Sequence, residues 1–324
     1  MSSAELNKCR MKDCFFPSTS CGAGLMDAAQ CPHYHGDIEK DQPGLAADDE
    51  RFPWTGRAFG LKDLRFVSTV KKPHVIGMAG LADAGKTTLL GMLFLMIYRG
   101  HRIIDNATFA GSFTLQGWEN ITRYLQLNSD GPIQFPPHTT QSGRFPGLLH
   151  LKFTMDGGSE RDFLLSDAPG EWFSHWADNA EAENAAGARW IADNADNLMI
   201  VADTEALIGP QKGPARSNLE FLIRRVQRNF SKDSVALLWS KTDLPRPDEL
   251  ITTVNRHFEN CFPGAPVFSV KVPDKNERVG ETSLSLQALK ELFQWAFSTV
   301  PKKVVVDWPV SKNVDSFLSY RGHQ

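Results

Sequence analysis

Residues 74–87 read HVIGMAGLADAGKT, and the fold turns on them. The run 74–80 is a buried-strand candidate, and the segment 86–99 that follows carries the apolar content of a helix. Between the two, Gly80–Thr87 spells G-x-x-x-x-G-K-[ST] with a strand before it and a helix after it, the setting this pattern requires. The glycines permit a tight loop whose N–H groups face phosphate oxygens, at the positive end of the helix starting near Lys86. Lys86 then reaches the β- and γ-phosphates and Thr87 becomes a magnesium ligand. Gly80, Asp83, Ala84, Gly85 and Thr88 complete the expected contact set, whereas Gly77 lies too early to belong to the loop.

Working outward, the chain alternates strand-like and helix-like stretches, which predicts an α/β domain over 73–300 with a mostly parallel sheet. Residues 101–146 read as a long irregular region holding one short helix near 116–127. A hairpin follows, LLHLKFTM and RDFLLSDAP around the turn Asp156, Gly157 and Gly158. Helices are expected at 175–192, 215–229, 247–259 and 284–298, and strands at 197–204, 234–240 and 266–272. Residues 41–72 read as a polar linker running into an apolar latch (Trp54, Phe59, Leu64 and Phe66), and 301–324 as a tail.

The second hairpin strand ends in LLSDAPGEW, residues 164–172, about 80 residues after the phosphate loop. An Asp at the C-terminal end of a buried strand puts a carboxylate at the edge of the sheet where that loop lies. Asp167 is therefore the expected second magnesium anchor, and the Gly170 N–H an expected γ-phosphate donor. Glu171 follows, where a Gln or His would serve to orient an attacking water, so its catalytic role stays open between a base and a bystander. A switch also needs a Thr or Ser that donates its hydroxyl to magnesium. In PPHTTQSGRFPG, residues 136–147, Thr140 or Thr139 is placed for this, Thr114 is a rival, and Arg144 is a candidate internal arginine finger.

Residues 239–244, WSKTDL, follow a strand at the point where a nucleotide base would be read. Guanine offers N1–H and N2–H₂ side by side, and the acceptor-only carboxylate of Asp243 can take both, which adenine cannot match. The Lys241 stem would cover the base plane. Ser240 stands where Asn or Thr is usual in N-K-x-D loops, and being shorter than Asn it weakens the expected tie to the phosphate loop. In FSVKV, residues 268–272, the backbone of Val270 is a candidate neighbour of guanine O6, with Lys271 beside it.

These three motifs resemble those of P-loop GTPases of the translation-factor-related class. Further stretches narrow the resemblance: WTGRAFGLKDL (54–64), FAGSFTLQGWENI (109–121), SGRFPGLLHLKF (142–153) and LLSDAPGEWFSHWA (164–177). They are similar to the double-GTPase families of multi-gene bacterial conflict, or anti-phage, systems, in particular the second type with its cysteine-rich N-terminus. That resemblance implies GTP and GDP as ligands with Mg²⁺, a partner GTPase and effector proteins from the same operon. A dimer is left open.

Composition fits this picture. The 324 residues are 41% apolar and 23% charged, with a net charge of −3, which argues against disorder and gives no basic field for nucleic acid or anionic membrane. No apolar run approaches the roughly 20 residues needed to span a bilayer, and no secretory signal is visible, so a cytoplasmic location is expected. Four of five cysteines, Cys9, Cys14, Cys21 and Cys31, fall in a segment, 1–40, with too little apolar periodicity for a core. A structural zinc site, with His33 or His35 as alternative ligands, explains that clustering in a reducing compartment better than disulfides do. Three readings leave the sequence: a slowly hydrolysing GTP switch, a scaffold in which GTP is a structural ligand, and, weaker because its Lys and Arg content is sparse, a nucleic-acid finger in the cysteine segment.

Overall fold

Strand β1 (His74–Gly80) is buried along its whole length because it runs through the middle of a seven-stranded sheet. The computed structural model of the chain describes residues 58–68, 71–123, 125, 147–271 and 283–298. Its sheet has the order β2-β3-β4-β1-β5-β6-β7, with β2 (Ala107–Gly111), β3 (Gly147–Met155), β4 (Glu160–Asp167), β5 (Asn197–Asp203), β6 (Val235–Ser240) and β7 (Val267–Ser269). Strands β4, β1, β5, β6 and β7 run parallel, while β2, β3 and β4 pair antiparallel. Parallel strands covered on both faces need apolar residues on both, which is why β1, β5 and β6 read as continuous runs.

Alternate residues of these strands feed two cores. Ile76, Met78, Met199, Val201 and Leu238 pack with α2 (Lys86–Tyr98), α3 (Leu115–Thr122) and α9 (Ser283–Ser298). Val75, Ala79, Leu198, Ile200, Leu237 and Trp239 pack with α4 (Gly170–Asp178), α5 (Ala186–Asn194), α7 (Lys212–Val226) and α8 (Asp248–Cys261). Helix α2 is apolar nearly all round and buried, so its 13 residues belong to the core. Among the described residues no helix is long and apolar enough to cross a membrane.

The latch is anchored by backbone as well as by side chain. Phe59 is fully buried and exchanges both backbone hydrogen bonds with Leu148, at 2.8 and 3.0 Å. Short helix α1 (Arg65–Ser68) buries Val67 in the same core, and Lys72 then reaches the fully buried carboxylate of Asp196 at 2.6 Å just before β1.

Three expectations are corrected. Residues 101–146 are not all irregular, for β2 pairs with β3 there; as an exposed edge strand with a bulge between Phe109 and Gly111, it lacks an apolar signature. The helix expected at 175–192 is two helices, with α4 beginning at Gly170. The break comes where Asn179 Oδ1 accepts from the Glu181 N–H at 3.0 Å and Arg189 donates to the carbonyls of Ala180 and Ala182. Strand β7 spans only three residues at the sheet edge.

Candidate functional site

The C-terminal ends of β1, β4, β5 and β6 bring the three motifs to one edge of the sheet, the position where parallel α/β sheets bind ligands. The loop after β1 contains two left-handed residues, Asp83 (φ 59°) and Gly85 (φ 83°). An alternation of this kind turns successive N–H groups inward and makes an anion cradle. Gly85 caps α2 without a side-chain hydrogen bond, so no side chain blocks the helix's first N–H groups.

Lys86 is buried and bends back over this loop, donating to the carbonyls of Gly80 (3.1 Å) and Leu81 (2.8 Å). Burial pulls its pKa down to about 8, against the opposing pull of the carboxylates of Asp167, Glu171, Asp83 and Asp203. A phosphate anion beside the ammonium would favour its charged form and raise that pKa. Below pH 8 the lysine already carries its proton; above that, binding must take one up. Nucleotide affinity should therefore be flat below about pH 8 and fall with rising pH, by up to about tenfold per unit, until the pKa of the complex is passed. Calorimetry of GDP binding across this range checks it, and affinity rising with pH would refute it.

Thr87 Oγ1 donates to Asp167 Oδ1 at 2.9 Å, joining the first turn of α2 to the end of β4. A hydroxyl and a carboxylate oxygen this close are the donor pair that Mg²⁺ takes in phosphate-binding loops, so the residues fit the ion. Just beyond, Gly170 opens α4 against the phosphate loop itself: a Cβ there would lie 2.1 Å from the Ala82 nitrogen and 2.2 Å from the Leu81 carbonyl carbon. Only glycine fits. Glu171 occupies the first turn of α4, half-buried.

The turn carrying Ser240, Lys241 and Asp243 leaves β6 at Ser240 and closes with the Leu244 N–H donating to the Lys241 carbonyl at 3.2 Å. Asp243 lies exposed on it, with no hydrogen-bond partner among the described residues. The Ser240 hydroxyl is buried and also has no hydrogen-bond partner among the described residues. Lys241 adopts φ 53°, and its ammonium binds Asp203 (3.0 Å) and Glu205 (2.8 Å). Burial alone would lower the Lys241 pKa, but those two carboxylates raise it overall. Burial raises the pKa of Asp203, and the hydrogen bond from Lys241 lowers that of Glu205.

Two sequence candidates bond to the sheet. The Val270 N–H donates to the Trp239 carbonyl at 2.8 Å and so serves the sheet; Lys271 follows, half-buried. Thr114 is fully buried, and its hydroxyl accepts from the His150 N–H at 2.8 Å. Around it, Phe113 N–H donates to His150 Nδ1 (3.0 Å), which leaves Nε2 to donate to Asp162 (2.9 Å) and fastens this segment to β3 and β4. Thr139, Thr140 and Arg144 lie outside the described residues, as do Cys9, Cys14, Cys21, Cys31, His33 and His35. Among the described residues no group of three or more His, Cys, Asp or Glu could hold a metal ion, so nothing described supports zinc. Sequence reasoning passed over Asp203, Thr204 and Glu205; their signal was a polar triplet closing an otherwise apolar strand next to WSKTDL.

Residues 74–296, more than two thirds of the chain, match a family model described as Double-GTPase 2. No curated protein is detectably similar to the chain.

Proposed function

The chain belongs to the Double-GTPase 2 family, and from that premise we propose that it binds GTP with Mg²⁺, hydrolyses it slowly and acts as a molecular switch in a multi-protein bacterial conflict system. The observation that carries this reading is the 2.9 Å bond between Thr87 and Asp167, which joins two motifs 80 residues apart at the N-terminus of α2. With Gly170 packed on the same loop, a change at the γ-phosphate can pass directly to α4.

Each residue has a separable task. The loop N–H groups and Lys86 hold the phosphates, Thr87 and Asp167 hold the metal, and Asp243 reads the base. Thr140, with Thr139 beside it, is proposed as the sensing threonine. Bound Mg²⁺ supplies neutralisation of charge on the β- and γ-phosphate oxygens. Slow turnover follows from Glu171: a carboxylate next to the γ-phosphate repels the charge it must approach, where a Gln amide would orient water without that cost. Completion of the site by a partner GTPase or effector from the same operon fits such a deficit. Structural zinc on Cys9, Cys14, Cys21 and Cys31 remains part of the proposal on the strength of the sequence alone.

Phosphate release from GTP, by the chain alone and with proteins of its operon, separates this reading from a scaffold that keeps GTP unhydrolysed. We expect an intrinsic rate on the order of 10⁻⁴ to 10⁻² per second, raised by a partner. No release in any combination would leave the scaffold reading. Thr87→Ala should raise the Mg²⁺ concentration needed for half-maximal hydrolysis by about tenfold or more, in line with loss of a metal ligand. An unchanged Mg²⁺ requirement would remove Thr87 from the metal site.

A further inference from the structure

We propose that Thr204, with Asp203 and Glu205, positions the base-reading turn, taking over from the end of β5 the tie that Ser240 does not make to the phosphate loop. This rests on Asp243 being the guanine reader.

The geometry is specific. Ser240 and Asp203 are register partners across β6 and β5, so the two strands end side by side. The Thr204 hydroxyl, fully buried, donates to the Ser240 carbonyl at 2.7 Å, at the residue where the turn leaves the strand. One residue on, Lys241 has a left-handed backbone that a side chain seldom adopts, and its ammonium is clamped between Asp203 Oδ2 and Glu205 Oε2. Asp203 is itself fixed, since its other oxygen accepts from the Glu205 N–H at 3.0 Å and caps helix α6 (Thr204–Ile208). The far side of the turn is held differently, with the Arg246 guanidinium 5.3 Å over the Trp239 ring and Trp239 Nε1 donating to Asn255 at 2.9 Å.

These contacts leave the Asp243 carboxylate without a hydrogen-bond partner among the described residues, on a turn pinned at both ends. Its usefulness depends on direction: a carboxylate that accepts N1–H and N2–H₂ together must present both oxygens in the plane of the base. The contacts from β5 therefore set the guanine preference without touching the nucleotide.

The readout is the ratio of affinities for GTP and ITP, whose hypoxanthine lacks the 2-amino group. A residue that merely stabilises the fold would weaken both alike and leave the ratio unchanged. In the full-length protein with Mg²⁺, the wild type should prefer GTP by about tenfold or more, the value of one charge-assisted hydrogen bond. Thr204→Val, which removes only the hydroxyl's donor, should cut that preference about fivefold, and Thr204→Ser should restore it. Glu205→Gln, at an exposed side chain where folding is safe, should lower it as well by loosening Lys241. If Thr204→Val does not fold, Glu205→Gln alone decides. A GTP-to-ITP ratio unchanged by the variants that fold overturns the positioning role while leaving Asp243 as reader. A wild type that holds ITP and ATP as tightly as GTP overturns both.

Discussion

Asp243→Ala is expected to weaken GTP and GDP binding by about 100-fold or more while leaving ATP binding where it was. Two hydrogen bonds to a charged acceptor contribute about 1.5–3 kcal/mol each, so losing both corresponds to roughly 10²- to 10⁴-fold in Kd. The substitution should not disturb the fold. Asp243 is exposed and makes no hydrogen bond among the described residues, and surface changes of this kind stay within about 0.5 kcal/mol. The loss would thus be one of recognition, visible in nucleotide titrations and absent from thermal melts of the free protein. Equal losses for guanine and adenine nucleotides would mean that the turn after β6 supports the pocket without reading the base.

Gly170→Ala should lower the rate of GTP hydrolysis by about 100-fold, the cost of displacing reacting groups by about 1 Å. The added methyl would meet the Ala82 nitrogen at 2.1 Å and the Leu81 carbonyl carbon at 2.2 Å. Both are backbone atoms of the phosphate loop, so no side-chain rotation relieves the clash; either the loop or the entry of α4 must shift. Gly170 begins a helix, where alanine is otherwise favourable, so the effect isolates this contact from backbone strain. GDP affinity should fall less, because Lys86, the start of α2 and Asp243 keep their places. Hydrolysis at the wild-type rate would show that the approach of α4 to the loop is not needed for turnover.

The parallel core was legible because doubly covered strands must be apolar throughout: HVIGMAG, NLMIVAD and VALLWS announce β1, β5 and β6 without any partner information. Edge elements were not. Strand β2 exposes most of its residues, and only its pairing with β3 makes it a strand. The split between α4 and α5 depends on Asn179 and Arg189, whose side chains bond backbone groups that periodicity does not register. Site residues divide in the same way. The proposed roles of Lys86, Thr87, Asp167 and Asp243 rest on the chemistry of their own side chains at fixed spacing, so a motif finds them. The contacts of Thr204 and Asp203 depend on the neighbouring strand's register, which emerges only when β5 and β6 lie side by side.

The wild-type chain should hold a guanine nucleotide selectively at the edge formed by β1, β4 and β6, and competition among GTP, GDP and ATP for the protein with Mg²⁺ measures that selectivity. GTP and GDP should displace a bound fluorescent guanine nucleotide at concentrations about 100-fold or more below those ATP requires. Displacement by ATP at the same concentration as GTP would contradict the account and leave a phosphate-binding loop without a base reader.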